Sequence, residues 1–266
     1  MRIARTESVT THALLVLASV VAVFPLVSIV VSSFDGSSGG LSLSSYSAAW
    51  TQGRFGSALL SSALVSVTVV VVTVILASLA GYALATMRVP GGKVILGLLL
   101  LGLVLPYEVT VLPLYELLAG WNLIDTYWAL ILPQIALSVP LGVLWMRTFF
   151  ASVPQELLEA ARIDGTSRFQ TLRLVVLPIA GPALTTLGTV LFLFTWNEFL
   201  LALILVPDNA AVQTVPLALS FFSGAARSSD PAVTAAAAVL VALPVLLAYT
   251  VLQRRLISGL TEGAVK

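Results

Sequence analysis

Two groups of residues in this 266-residue sequence have types and spacings that could do chemistry. The first is Trp196-Asn197-Glu198, together with Glu108, set in stretches that are otherwise apolar. An ionised carboxylate at the centre of a membrane helix costs roughly 2.5 to 3.5 kcal/mol, so one found there turns toward protein or water. The neighbouring amide can donate and accept, and an indole can stack on the face of a sugar ring. Two readings stand: these groups line a solute path, or they hydrogen-bond adjacent helices and hold a bundle together. The second group is Glu159-Ala160-Ala161 with Ile163-Asp164-Gly165 and, after nine intervening residues, Val175-Val176-Leu177-Pro178. Two alanines let a partner approach a helix backbone closely, and Gly165 permits a sharp reversal without a Cβ penalty. Glu159 adds a charge at the edge of that patch, so the second group is suited to docking. Cysteine is absent and His12 is the single histidine. A disulfide framework, a thiolate metal site and a Cys nucleophile are thereby excluded.

The elements that position these groups follow from composition. Apolar residues make up 59% and charged residues 9%, with a mean hydropathy of +1.05. A soluble domain would carry about 25% charged residues. This is therefore an integral membrane protein. Stretches of about 20 apolar residues, enough to cross roughly 30 Å of hydrocarbon, occur at Ala13–Val31, Ala58–Met87, Val94–Leu118, Tyr127–Phe149, Ile179–Val206 and Thr234–Leu252. None alternates with period 2, which excludes a barrel. An all-α protein with six transmembrane helices is expected, forming a single domain over 1–266. The first stretch follows Arg2 and Arg5 but is longer than the apolar core of a signal peptide, and it is read as a retained helix.

Basic residues orient the chain. With the N-terminus cytoplasmic, the inner side carries Arg2, Arg5, Arg88, Lys93, Arg147, Arg162, Arg168, Arg173, Arg254, Arg255 and Lys266, and the outer side keeps only Arg54 and Arg227. That is the positive-inside pattern, with both termini cytoplasmic. Within the third stretch, Pro106 and Pro113 each remove a backbone donor and bend a helix. Glu108 there is either a cavity-facing or a helix-end group, and Glu116 is a solvated helix end. Ala235 to Ala238 suit close helix packing.

The one long inner connection runs over 150–178, between the fourth and fifth stretches. Ser152, Pro154 and Gln155 read as a helix start, Glu156 to Asp164 as a short helix, and Gly165 as its stop. Ser167-Arg168-Phe169-Gln170 repeats the capping pattern and opens a second helix toward Pro178.

The order Glu159-Ala160-Ala161, three residues, Gly165, nine residues, Val175-Val176-Leu177-Pro178 resembles the E-A-A loop of ABC importer permeases, with Val175 where that family usually has Ile. The Ile163-Asp164-Gly165 extension, Leu105-Pro106-Tyr107-Glu108, Leu112-Pro113-Leu114-Tyr115 and Thr195-Trp196-Asn197-Glu198-Phe199 resemble its carbohydrate-uptake branch, the maltose-type second permeases. The resemblance implies a type I ABC importer permease fold in a prokaryotic inner membrane, with 150–178 as the coupling loop. It further implies two ATPase subunits, a homologous permease, an extracytoplasmic solute-binding protein, and a sugar or oligosaccharide as substrate. Glu159, Ala160, Ala161, Ile163, Asp164, Gly165 and Pro178 would form the ATPase contact, and Glu108, Trp196, Asn197 and Glu198 a substrate path.

No G-x-x-x-x-G-K-[ST] phosphate loop occurs, and Gly91-Gly92-Lys93 lacks its context. The chain is expected to be no enzyme and to bind no cofactor, ATP and Mg being used by the partner ATPase; membrane lipid is a partner and nucleic acid is not. A permease for another small polar solute is the alternative. An ion-driven secondary transporter would instead show paired inverted repeats and broken helices, and would not need a docking loop. A structural scaffold would leave Glu108 and Glu198 without a reason.

Overall fold

The computed structural model describes residues 5–35, 40–223 and 230–262, nearly all of them helical. Arg2, Arg227 and Lys266, used above for orientation, lie outside the described residues. In chain order the helices are α1 (Arg5–Ser32), α2 (Ser44–Gln52), α3 (Phe55–Thr86), α4 (Gly92–Val104), α5 (Val111–Gly120), α6 (Tyr127–Ser152), α7 (Gln155–Ile163), α8 (Arg168–Gln170), α9 (Leu177–Ile179), α10 (Gly181–Trp196), α11 (Leu200–Leu205), α12 (Val215–Ser223) and α13 (Pro231–Glu262). Four helices, α1, α3, α6 and α13, contain stretches long and apolar enough to cross a membrane. Two bent pairs bring the number to six if each is one span.

The packing divides into two compact units, Met1–Gly56 with Ala218–Pro244, and Ser57–Leu217 with Val245–Lys266. In the first, the apolar side chains of α1 from Leu14 to Val31 are exposed along the helix, as suits a helix whose solvent is hydrocarbon. Its end is tied to α2: the Ser33 and Tyr46 hydroxyls are 2.7 Å apart, and the Phe34 and Tyr46 rings lie 5.3 Å apart.

The second unit is built on α3 and α6. One stripe of α3, Ser62, Ser66, Val69, Thr73 and Ala77, is buried, while Leu60, Leu64, Val67, Val71 and Ile75 face outward. That spacing of three or four residues is one face of a helix, and its small members allow close approach. A Cβ added at Gly142 would lie 3.0 Å from the Ala77 Cβ, and one at Gly81 would lie 2.8 Å from the Arg147 backbone nitrogen. Near the other end, the Ser61 and Tyr127 hydroxyls are 3.0 Å apart. The pairs 61 with 127, 77 with 142 and 81 with 147 advance together, so α3 and α6 run parallel and the 150–178 loop leaves beside the C-terminal end of α3. Pro140 lies 3.3 Å from a Cβ built at Gly102 of α4, and Leu187 of α10 lies 3.9 Å from one built at Gly142. Ala77, Tyr82, Val143, Met146, Phe150, Leu172, Val176 and Leu187 form one core, which therefore reaches from the bundle into the loop.

Two apolar runs read above as single spans are broken, so broken helices do not separate this chain from an ion-driven transporter, contrary to the expectation from sequence. Val94–Leu118 is interrupted after Val104, where Leu105 and Pro106 are extended (ψ 126° and 120°), followed by a 3-10 turn, Tyr107–Thr110. The two arms meet at 92°. Pro106 supplies the break, because the residue before a proline is pushed out of the helical region. Pro113 does not bend anything: it occupies the first turn of α5, where backbone donors need no intrahelical partner. Ile179–Val206 likewise stops at Trp196 and resumes at Leu200.

Candidate functional site

The 150–178 loop is a helix, a glycine turn and a helix. Ser152 does not cap α7, as its position had suggested. It is the last residue of α6, and its hydroxyl donates to the Phe149 carbonyl at 2.7 Å. Val153, extended ahead of Pro154, separates the two helices, and Pro154 takes the position before α7 with no side-chain cap. A serine at a helix boundary can serve either neighbour; here the preceding helix takes it.

The far end of α7 is locked. Gly165 has φ +77°, its N–H donates to the Arg162 carbonyl at 3.0 Å, and the Thr166 N–H donates to the Ala161 carbonyl at 3.1 Å. These two bonds are a Schellman stop. The Thr166 hydroxyl also donates to the Ala161 carbonyl, at 2.6 Å, and lies 2.9 Å from the hydroxyl of buried Thr171. Ser167 and Gln170 form the reciprocal capping box, Gln170 N–H to Ser167 Oγ at 3.3 Å and Ser167 N–H to Gln170 Oε1 at 2.8 Å. Downstream, Thr171–Val176 forms a π-helical turn ahead of Pro178. The widened turn coincides with the proline, which cannot donate into a regular helical ladder.

This turn fixes which residues look outward. Ala161 is buried, and Leu158 packs against the bundle core. Ala160 is exposed, and so are Glu159, Asp164 and Gly165. The two alanines thus divide their labour: Ala160 offers the accessible small surface, and Ala161 seats α7 on the bundle. Ile163 is 86% exposed and Phe169 62% exposed, an apolar pair flanking the glycine turn. Pro178 is exposed at the bend of 80° between Arg168–Ile179 and Gly181–Trp196.

The second group sits at the break between α10 and α11. The Asn197 side-chain amide donates to the Leu193 carbonyl at 2.7 Å, beside the bond that the same carbonyl accepts from the Asn197 backbone N–H at 3.2 Å. Glu198, half-buried, accepts the Leu201 N–H at 2.9 Å through Oε1 and so caps α11. Trp196 is buried and packs on Phe192 with ring centroids 5.3 Å apart. The Tyr107 phenol lies close to the carboxylates of both Glu198 and Glu108. The structure therefore brings Glu108 and Glu198 to one place, through Tyr107, while Glu116 is exposed on α5.

Sequence reasoning missed three contributors. Thr171 braces the glycine turn from five residues away. Asp125, at φ +61°, accepts the Asp208 and Asn209 N–H groups at 3.0 Å each and clasps two loops at the far end of the bundle. Arg147, at the loop end, lies with its Nε buried and unpartnered. The residue types alone were compatible with ordinary surface roles, and only the turn residue Asp125 carried a local signal.

Comparison with known proteins bears on this geometry. A model of the binding-protein-dependent transport system inner membrane component matches residues 74–261. The chain is 37% identical over 164 residues to the trehalose transport system permease protein SugB of Mycobacterium tuberculosis, covering 61% of this chain and 60% of that one. It is 36% identical over 147 residues to the trehalose/maltose transport system permease protein MalG of Thermococcus litoralis (55% and 52%). Diacetylchitobiose uptake system permease protein DasC of Streptomyces coelicolor is 38% identical over 161 residues (60% and 58%). The matched region thus spans between about half and three fifths of these relatives. The fold is similar to the crystal structure of a bacterial ABC transporter involved in the import of the acidic polysaccharide alginate, with a TM-score of 0.78 over 96% of this chain and 99% of that one at 21% identity. The family match takes in α6, the whole 150–178 loop and the Trp196-Asn197-Glu198 break, so the chain belongs to the binding-protein-dependent transport system inner membrane components, a family of multi-pass membrane permeases.

Proposed function

We propose that this chain is a permease subunit of an ATP-driven importer for a sugar or oligosaccharide, acting as one transmembrane domain that lines half of the path. Two separate ATPase subunits drive it, using ATP and Mg, and a homologous permease and an extracytoplasmic solute-binding protein complete the assembly. Both termini are cytoplasmic. The sugar assignment is supported by the relatives, whose names refer to trehalose, maltose and diacetylchitobiose transport.

The observation that carries the docking role is the build of the 150–178 loop. Short α7 is clamped to the bundle by Leu158 and Ala161 and stopped by Gly165 and the Thr166–Thr171 pair, yet it presents Glu159, Ala160 and Ile163 outward. A rigid element with an exposed small-and-apolar face transmits a push better than a loop would, because its packed base leaves it few ways to yield. The inner face joins the same core as α3, α6 and α10, so movement of α7 is felt by the spanning helices.

Glu159→Lys and Ile163→Asp alter only exposed side chains. Each is expected to leave membrane insertion and thermal stability unchanged while reducing ATPase co-purification and substrate-stimulated ATP hydrolysis about tenfold or more, the loss of a central interface contact. Gly165→Pro, incompatible with φ +77°, is expected to uncouple as well. Normal transport and normal ATPase retention in both surface variants would remove the loop from the interface.

A further inference from the structure

At the loop end of the bundle, where α3 turns into α4 beside α6, lies a cavity of about 530 Å³. Among the described residues, Arg88, Lys93 and Arg147 line it, and no acidic residue does. Among the described residues, no side-chain hydrogen bond or ion pair ties any of these three cations, and the Arg147 Nε is buried without a partner. A buried donor left unmade bears its full desolvation penalty, so the site is incomplete without an anion. The first turn of α4 also lines the cavity, started by Gly91 at φ +72°, and adds the partial positive charge of a helix N-terminus. The remaining wall is hydrocarbon: Leu84, Met87 and Leu96. Beyond it, α4 buries none of its side chains, and Val94, Leu98 and Leu101 are each more than half exposed.

We propose that this cavity seats the phosphate headgroup of an anionic phospholipid, whose acyl chains lie along the exposed face of α4. The three cations and the α4 N-terminus match a phosphate diester with net negative charge. The apolar wall continuing into the exposed α4 face matches hydrocarbon attached to it. An acidic protein segment would satisfy the cations but would find an apolar face where it needs water. The seat lies on Arg147, five residues before the end of α6, so a bound lipid braces the stem from which the 150–178 loop departs.

The test uses the full chain purified in detergent and titrated with phosphatidylglycerol or phosphatidylcholine, with retained lipid read by native mass spectrometry. Phosphatidylglycerol is expected to be retained in preference to phosphatidylcholine. Arg88→Gln with Lys93→Gln, both at exposed positions, is expected to weaken retention about fivefold for each basic group removed, with an unchanged elution profile. Arg147→Gln is expected to do the same, and the exposed pair keeps the test valid should that variant misfold. Inorganic phosphate or glycerol phosphate at equal concentration is expected to leave the bound lipid in place. Equal retention of both lipids by wild type and the Arg88/Lys93 variant would overturn the proposal. Displacement by inorganic phosphate would overturn the lipid assignment in favour of a soluble anion, and unchanged lipid retention with lost ATPase co-purification would assign the cations to a protein contact.

Discussion

Glu198 shows how one side chain can carry two roles that have to be separated by experiment. Its carboxylate caps α11 through the Leu201 N–H and lies close to the Tyr107 phenol, itself near Glu108. Glutamine keeps an oxygen acceptor at the same place and removes the charge, whereas alanine removes both. Glu198→Gln is therefore expected to assemble and unfold like the wild type, and Glu198→Ala to lose about 1 kcal/mol with the uncapped N–H. If Glu198→Gln transports normally in the assembled importer, the charge has no part in the path and the residue is structural; lowered transport with intact assembly gives it a place in the path. Trp196, of a type suited to stacking on a sugar, packs in this structure against Phe192.

Among the elements, the broken pair α4–α5 owes its shape to one residue. Pro106 and the extended Leu105 place the two arms at 92°, and the 3-10 turn that follows carries Tyr107 and Glu108 to α11. With a rise of 1.5 Å per residue, a straight helix over 92–120 would span about 42 Å, and two perpendicular arms about 29 Å. Pro106→Ala restores the missing donor and relieves the preceding residue, so the arms are expected to straighten. Spin labels near 93 and 119 should then move apart by several ångström in pulsed electron resonance. An unchanged distance would show that packing against α11, not proline chemistry, holds the bend. Pro113 makes the contrast clear, because the same residue type two positions into a helix disturbs nothing.

Taken as a whole, the second unit depends on how closely α3 and α6 can run side by side. A Cβ at Gly81 would meet the Arg147 backbone nitrogen at 2.8 Å, a contact no side-chain rotation can relieve. Gly81→Ala is expected to destabilise the protein by about 1–3 kcal/mol through overpacking, read as a lowered unfolding midpoint in detergent. Gly97→Ala, where nothing lies within 4 Å, is the matched control and is expected to leave the midpoint unchanged or slightly raised. Equal effects of the two would mean that the α3–α6 contact is not what sets the stability. The same contact aligns the end of α3 with the stem of the 150–178 loop, so the loop proposed for docking and the cavity at Arg88, Lys93 and Arg147 share one end of this unit.

Membrane residence, helical class and the helix–glycine–helix loop were legible in the sequence because each depends on local or additive properties. Hydrophobic length sums along the chain, the Ser167–Gln170 box closes within four residues, and Gly165 meets a backbone requirement that belongs to its own φ. Other features depended on neighbours distant in sequence. Nothing local tells Ala160 from Ala161, and only the seat of α7 on the core makes one accessible and the other buried. Pro106 and Pro113 look alike until the helix start between them is known. Glu198 was visible as a costly charge and its bond to the Leu201 N–H is local, but its nearness to Tyr107 and Glu108 comes from two segments meeting across the bundle. Hydropathy constrains what each residue can tolerate; the long-range packing of α3, α6 and α10 chooses among the tolerated arrangements, because burial and pairing are properties of contacts and not of single residues.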